Sequence, residues 1–181
     1  AKVILGGNSK QAQEMINREV QIMMRIVHPT LIGFHGFSTT DLSGNKNITI
    51  YMDLIEKGSL EEILSKVQQS LGDSDYDNTA RQIILVGIAY GMMSLHQNHV
   101  IHRDLKPGNI LIDKDFYPHI TDFGLSKFFN PEYSKNQSIS NCGTIQYMAP
   151  EIISGDPFNT KADVYAFGIL MFEVVTGNRA Y

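Results

Sequence analysis

The chain has 181 residues, 43% of them hydrophobic and 19% charged, which is enough for a real core and argues against disorder. Its net charge of −4 offers no basic surface for nucleic acid or an anionic membrane, and its single cysteine, Cys142, excludes an internal disulfide and fits a reducing compartment. The richest apolar run, Val164 to Val175, is too short to span a bilayer and carries Glu173.

In chain order, "AKVIL" reads as a strand. It starts without Met, a basic n-region or a cleavage site, so the chain is expected to be a piece of a longer protein. From Ser9 to Val27 the residues Ile16, Val20, Met23 and Val27 recur at helical spacing, and the helix should stop before His28-Pro29. Glu19 falls beside that apolar stripe, where a carboxylate should seek a cation. "LIGFHGF" and "NITIYMDLI" read as strands joined by the turn-rich "STTDLSGNKN". Strand chemistry then gives way to helix after Gly58, with Ser59 and Glu62 spaced as a capping box. A long helix is expected from Asn78 to Gln97, with Ile84, Ile88, Met92 and Leu95 on one face. The last helix, Thr160 to Thr176, is apolar on nearly all sides and should be buried, with Gly177 as its stop. The reading is an α+β chain with a boundary near 54–58, and pockets often form between two such bodies.

The densest chemistry lies in "VIHRDLKPGNILI". Two short apolar strands flank a loop holding His102, Arg103, Asp104, Lys106 and Asn109, a costly set of polar groups to hold between buried strands unless they have a task. Asp122 follows Asp104 by 18 residues, in "ITDFG" at the end of another strand. Two carboxylates and a carboxamide oxygen form a sparse set suited to Mg²⁺, which keeps water and completes its shell with phosphate oxygens. A calcium cage or zinc site would need more oxygens, or clustered His and Cys.

"HRDLKPGN", "DFG" and "APE", in this order, resemble the eukaryotic protein-kinase family, and "REVQIMMRIVHPTLI" and "DVYAFG" extend the likeness over essentially the whole chain. The resemblance implies a two-lobed fold truncated at both ends: a small sheet and one helix over residues 1–56, and a mainly helical lobe over 57–181. The glycine-rich phosphate-covering loop would precede Lys2, and further helices would follow Tyr181.

It also implies ATP and Mg²⁺, with transfer of a phosphoryl group to a protein hydroxyl. Asp104 would orient or accept the hydroxyl proton, Asn109 and Asp122 would hold the metal, and Lys106 would neutralise the moving phosphoryl group. Lys2 would grip the nucleotide phosphates, paired with Glu19. Met52 would guard the back of the adenine pocket, with the backbone of Asp53 and Ile55 bonding the adenine edge. Met23, Phe34, His102 and Phe123 match the family's hydrophobic column, His102 packing rather than acting as a base, and Asp163 matches the carboxylate bracing the catalytic loop. Lys106 and Thr144 resemble serine/threonine kinases rather than tyrosine-directed ones, which carry Ala-Arg-type residues there, and "YMAPE" is similar to the tyrosine-kinase-like group.

Tyr133, Ser134, Ser138, Ser140 and Thr144 lie between Asp122 and Glu151. The resemblance implies that an upstream activating kinase modifies Ser140 and that Arg103 receives the phosphate. A binding scaffold of the same fold and a small-molecule phosphotransferase are the other readings; the complete set Lys2, Asp104, Asn109 and Asp122 weighs against the first, and "APE" against the second. The expected partners are ATP and a protein substrate, and the expected location is cytoplasmic.

Overall fold

The computed structural model describes residues 1–4, 10–72, 74–128 and 144–180. Strand β1 (Lys2–Ile4) and helix α1 (Lys10–Arg25) come first, followed by β2 (Phe34–Ser38) and β3 (Ile48–Met52). The three strands form an antiparallel sheet in the order β1-β3-β2, with Lys2 opposite Ile50 and Phe34 opposite Met52. Helix α1 presents Ile16, Val20, Ile22 and Met23 to the core. Val27, expected on the same stripe, is instead 91% exposed. The helix ends at Arg25, so the helical spacing no longer applies at Val27, and Ile26 turns inward in its place.

The "LIGFHGF" run is only partly a strand of this sheet. Leu31 and Ile32 pair with the far half of the molecule: Ile32 N–H donates to Ile120 O, and Ile120 N–H donates to Thr30 O, both at 2.9 Å. The segment 30–32 thereby ties the sheet to the helical part.

The helical part holds α2 (Leu60–Gln68), α3 (Asn78–Gln97), α4 (Pro150–Ser154) and α5 (Lys161–Thr176). Ser59 caps α2 by accepting from Glu62 N–H, and Asp77 caps α3 by accepting from Ala80 N–H, each satisfying a backbone donor the helix cannot. The expected face of α3, Ile84, Ile88, Met92 and Leu95, is buried. Between α3 and α4 lie two small antiparallel ribbons, β4 (Val100–Ile101) with β7 (Lys127–Phe128) and β5 (Ile110–Ile112) with β6 (Pro118–Ile120).

Helix α5 starts and stops where its sequence suggests, and Gly177 ends it in the left-handed region, donating to Glu173 O at 2.8 Å. Its burial differs from expectation. Ala162, Asp163, Ala166, Leu170, Glu173 and Val174 are buried, but Val164, Met171, Phe172 and Val175 are exposed. Among the described residues α5 packs on α3 and the 145–147 turn, which cover one side only. One continuous core runs from Ile16 to Val174, and a smaller one gathers Ile101, Ala149, Ile152, Phe158 and Ala162. No helix among the described residues is long and apolar enough to cross a membrane.

Candidate active site

The loop between β4 and β5 is polar inside and held at both ends by buried strands. Asp104 is nearly buried, and its two oxygens accept from four groups. Oδ1 accepts Thr144 N–H at 3.0 Å and the Thr144 hydroxyl at 3.1 Å. Oδ2 accepts Asn109 Nδ2 at 2.9 Å and pairs with Lys106 Nζ at 2.9 Å. Lys106 Nζ also donates to Thr144 Oγ1 at 2.8 Å. One hydroxyl thus sits between an ammonium and a carboxylate, accepting from the first and donating to the second.

Asn109 spends its amide nitrogen on Asp104 O, at 2.7 Å, and on Asp104 Oδ2, which leaves its amide oxygen as the group able to take a cation. The β5–β6 ribbon brings Asp122 to the same end of the site, because Thr121 N–H donates to Asn109 O at 3.0 Å. Asp122 has φ +65° and a side chain 47% exposed, and its Oδ1 lies 3.2 Å from Lys2 Nζ. A left-handed non-glycine backbone is uncommon and tends to mark functional positions. Among the described residues no three His, Cys, Asp or Glu side chains gather to hold a metal by themselves. A carboxylate and a carboxamide oxygen fit a hard cation whose remaining ligands are water and phosphate.

Lys2 Nζ reaches Glu19 Oε1 at 2.8 Å, so the carboxylate beside the α1 stripe has found its cation. Glu19 is 3% exposed, and burial pushes its carboxyl above the ordinary value against the pull of Lys2. Burial works against the charge on Lys2 as well, but Glu19 and then Asp122 outweigh it and hold the ammonium above its ordinary value. Strand, helix and the Asp122 turn therefore meet at one amine.

Below the loop, Asp163 at the start of α5 accepts His102 N–H and Arg103 N–H, each at 2.9 Å. His102 is fully buried, edge-on to Phe123 at 5.6 Å. Its Nε2 donates to Thr121 O and its Nδ1 accepts Asp104 N–H, so both ring nitrogens serve the backbone. Met23 and Phe123 are buried in the same core, with Phe34 packed against it.

The whole chain, residues 1–181, matches the family model described as the protein kinase domain. It is 34% identical over 177 residues to cold-responsive protein kinase 1 of Arabidopsis thaliana, covering 96% of this chain and 44% of that protein. It is 34% identical over 184 residues to a probable serine/threonine-protein kinase of Dictyostelium discoideum, covering 99% and 13%. Against cysteine-rich receptor-like protein kinase 24 of Arabidopsis thaliana it is 35% identical over 178 residues, covering 97% and 27%. The chain belongs to the protein kinase domain family.

The sheet with α1 and the helical part are thus the two lobes of a protein-kinase fold. The segment linking them is tied back to β2. Asp53 N–H donates to Gly33 O at 3.0 Å, and His35 Nε2 lies 2.7 Å from Asp53 Oδ1. Gly33 leaves room for the Asp53 side chain here, since a Cβ would fall 2.1 Å from Asp53 Oδ2 and push that carboxylate aside. The N–H of Asp53 is therefore already engaged within the chain. Met52 packs half-buried against the core beneath it, and Ile55 is half-buried beyond it.

Two cations near the catalytic loop, Lys127 and Arg18, were not singled out from the sequence. Burial first, then the neighbouring charges of Arg103 and Arg18, lower the Lys127 ammonium from its ordinary value. Arg103 itself has φ +70° and stacks over Phe158 at 5.3 Å. Ser140, the expected phosphate acceptor, and Cys142 lie outside the described residues. A further pair, Tyr147 Oη donating to Glu173 Oε2 at 2.8 Å, fastens the segment after Thr144 to α5. Burial, then Glu173, pushes the Tyr147 phenol far above its ordinary value.

Proposed function

We propose that the protein is an ATP- and Mg²⁺-dependent serine/threonine kinase, transferring the γ-phosphoryl group of ATP to a hydroxyl of a protein substrate. The carrying observation is the convergence of Asp104, Lys106, Asn109 and Thr144 at one end of the ribbon that also carries Asp122 to Lys2. The lobe boundary belongs to the same reading, with residues 1–56 forming the small lobe and 57–181 the large one.

In this reading Asp104 orients the substrate hydroxyl and takes its proton as the new O–P bond forms and the bond to the ADP oxygen breaks. The Thr144 hydroxyl, which donates to Asp104 Oδ1 at 3.1 Å, supports this reading. Lys106 neutralises charge on the moving group, and Lys2, fixed by Glu19, does so on the non-transferred phosphates. Asn109 and Asp122 hold Mg²⁺, which when bound screens the phosphate charge. The carbonyl of Asp53 and the backbone of Ile55 receive the adenine edge, with Met52 behind it. The names of the relatives support serine and threonine as acceptors. The cytoplasmic location rests on the need for ATP and on the single cysteine.

For regulation, an upstream kinase phosphorylates Ser140 and the phosphate pairs with Arg103. The charges of Arg103 and Arg18 both acting on Lys127 support this, since neighbouring cations favour an anion among them. Ser140→Ala in the intact enzyme should abolish activation; unchanged activation sinks this part.

The main test incubates the full-length protein with labelled ATP, Mg²⁺ and a generic protein acceptor. Label on serine or threonine is expected, and Asp104→Asn should reduce it by about 10²–10⁴ while nucleotide binding survives. Absence of transfer, or label only on a small metabolite, overturns the proposal.

A further inference from the structure

Beside the loop that carries Asp104, helix α2 and the segment after α5 enclose a small cavity of about 20 Å³, room for about one water. Among the described residues its charged side chains are Glu61, Glu173 and Arg179, with Pro107 and Tyr147 beside them. Glu173 is buried, and each of its oxygens has a donor: Tyr147 Oη reaches Oε2 at 2.8 Å, and Ala180 N–H reaches Oε1 at 3.2 Å. Glu61 and Arg179 stand at the rim, 59% and 63% exposed, with Arg179 Nη2 3.5 Å from Glu61 Oε1. That pair links α2 to the segment after α5.

The rim is within reach of a chain whose hydroxyl sits on Asp104. A Cβ on Gly108 would meet Glu61 Oε2 at 3.0 Å and Lys106 Cε at 3.8 Å, so these two side chains flank one point. Lys106 in turn pairs with Asp104. Tyr147, on the opposite wall, donates its N–H to Thr144 O at 2.9 Å, and Thr144 bonds Asp104 directly. An extended chain advances about 3.3 Å per residue, so a residue about two or three places from the acceptor hydroxyl arrives at Glu61 and Arg179. The function proposed above requires a protein chain to lie against Asp104, so access to this rim is part of that reading.

The charges decide what that residue can be. An unpaired Glu61 would draw a lysine or arginine of the acceptor. Arg179 already supplies that cation, and its own charge repels a second one. The same balance acts on the Tyr147 phenol, which burial, then Glu173 and Glu61, push up and Arg179 pulls down.

We propose that Arg179 is a specificity-determining residue: paired with Glu61, it keeps the acceptor cleft from selecting a basic residue two or three places from the phosphorylated hydroxyl, and the substrate class is a neutral or acidic segment. This inference deepens the function proposed above and rests on it.

The test uses the full-length protein and serine peptides in an alanine background, each with one Arg or Glu two or three places to either side of the serine. In the wild type, kcat/KM should be no higher with Arg than with Ala at any of these places. Arg179→Glu should raise the Arg-to-Ala ratio about three- to fivefold at one of them, the scale of an exposed ion pair. Adding Glu61→Arg to that variant restores a pair of opposite charges and should return the ratio to its wild-type value. A wild type that already favours Arg, a ratio that Arg179→Glu leaves unchanged, or a double variant that keeps the raised ratio overturns the proposal. The affinities of the same peptides with the serine replaced by alanine give the ratio without any transfer. A wild type that binds them but phosphorylates no acceptor sinks the proposed function, while the charge comparison still decides the role of Arg179.

Discussion

Lys2 Nζ stands 2.8 Å from Glu19 Oε1 and 3.2 Å from Asp122 Oδ1, so one amine links the first strand, the first helix and the turn after β6. Glu19 is buried and Lys2 only partly so. Removing either partner leaves the other less satisfied, and groups in direct contact couple by about 0.5–3 kcal/mol. A double-mutant cycle on Lys2→Met and Glu19→Gln, read as the affinity for Mg²⁺-nucleotide, should give a coupling in that range. Additive losses would mean that the pair does not position the nucleotide. Because Lys2 is held above the ordinary lysine value of 10.5, its contribution to stability is complete at neutral pH and is lost as pH rises through the raised value.

Thr144 bridges Lys106 and Asp104 through one hydroxyl, besides donating its backbone N–H to Asp104. Thr144→Val keeps the shape and the N–H but removes both hydroxyl bonds, leaving two charged groups short of a partner. A loss of about 1–3 kcal/mol in transition-state stabilisation is expected, measured as kcat/KM for a peptide acceptor, with Thr144→Ser close to the wild type. If valine and serine behave alike, the hydroxyl has no part in aligning Asp104.

The catalytic loop was legible because its chemistry is packed into eight residues, where spacing alone constrains geometry. Glu19 was legible for a different reason, since helical periodicity placed a charge at the rim of an apolar stripe. His96 Nε2 and Asp163 Oδ2 meet at 2.8 Å across 67 residues of sequence, and nothing local to "SLHQ" announces that contact. Arg18 and Lys127 belong to α1 and β7, and only tertiary packing brings their charges together. In α5 apolar residues lie on every side, and the described residues cover one face of it. The pairing of Leu31 and Ile32 with β6 likewise depends on a partner 90 residues away, which strand patterns cannot reveal.

That pairing rests on glycine in α3. A Cβ on Gly91 would come within 2.7 Å of both Ile120 Cδ1 and Thr30 Oγ1, and 3.2 Å from Thr30 O. Gly87 is as tight against Pro118, at 2.5 Å. Alanine suits a helix better by about 1 kcal/mol, but overpacking against backbone costs about 1–3 kcal/mol. Gly91→Ala should therefore lower the melting temperature and loosen amide protection at Ile32 and Ile120. Stabilisation instead would show that the helix and the 30–32 segment have room to separate freely.

The turn between β2 and β3 gives a pH prediction independent of catalysis. Asp41 accepts Asn47 Nδ2 at 2.8 Å, the side chain and backbone N–H of Asn45, and Ser43 N–H at 2.9 Å. The Asn47 amide first, then Asn45, lower its carboxyl from 3.8 to about 2. A depressed acid favours folding only while ionised, so its contribution is complete above 3.8 and is lost as pH falls through about 2. Carbon-13 titration of the Asp41 carboxyl should show a midpoint near 2, and Asn47→Ala should return it toward 3.8. A midpoint already at the ordinary value in the wild type would mean that the turn is not closed by its asparagines, and the register of β2 against β3 would then need another source.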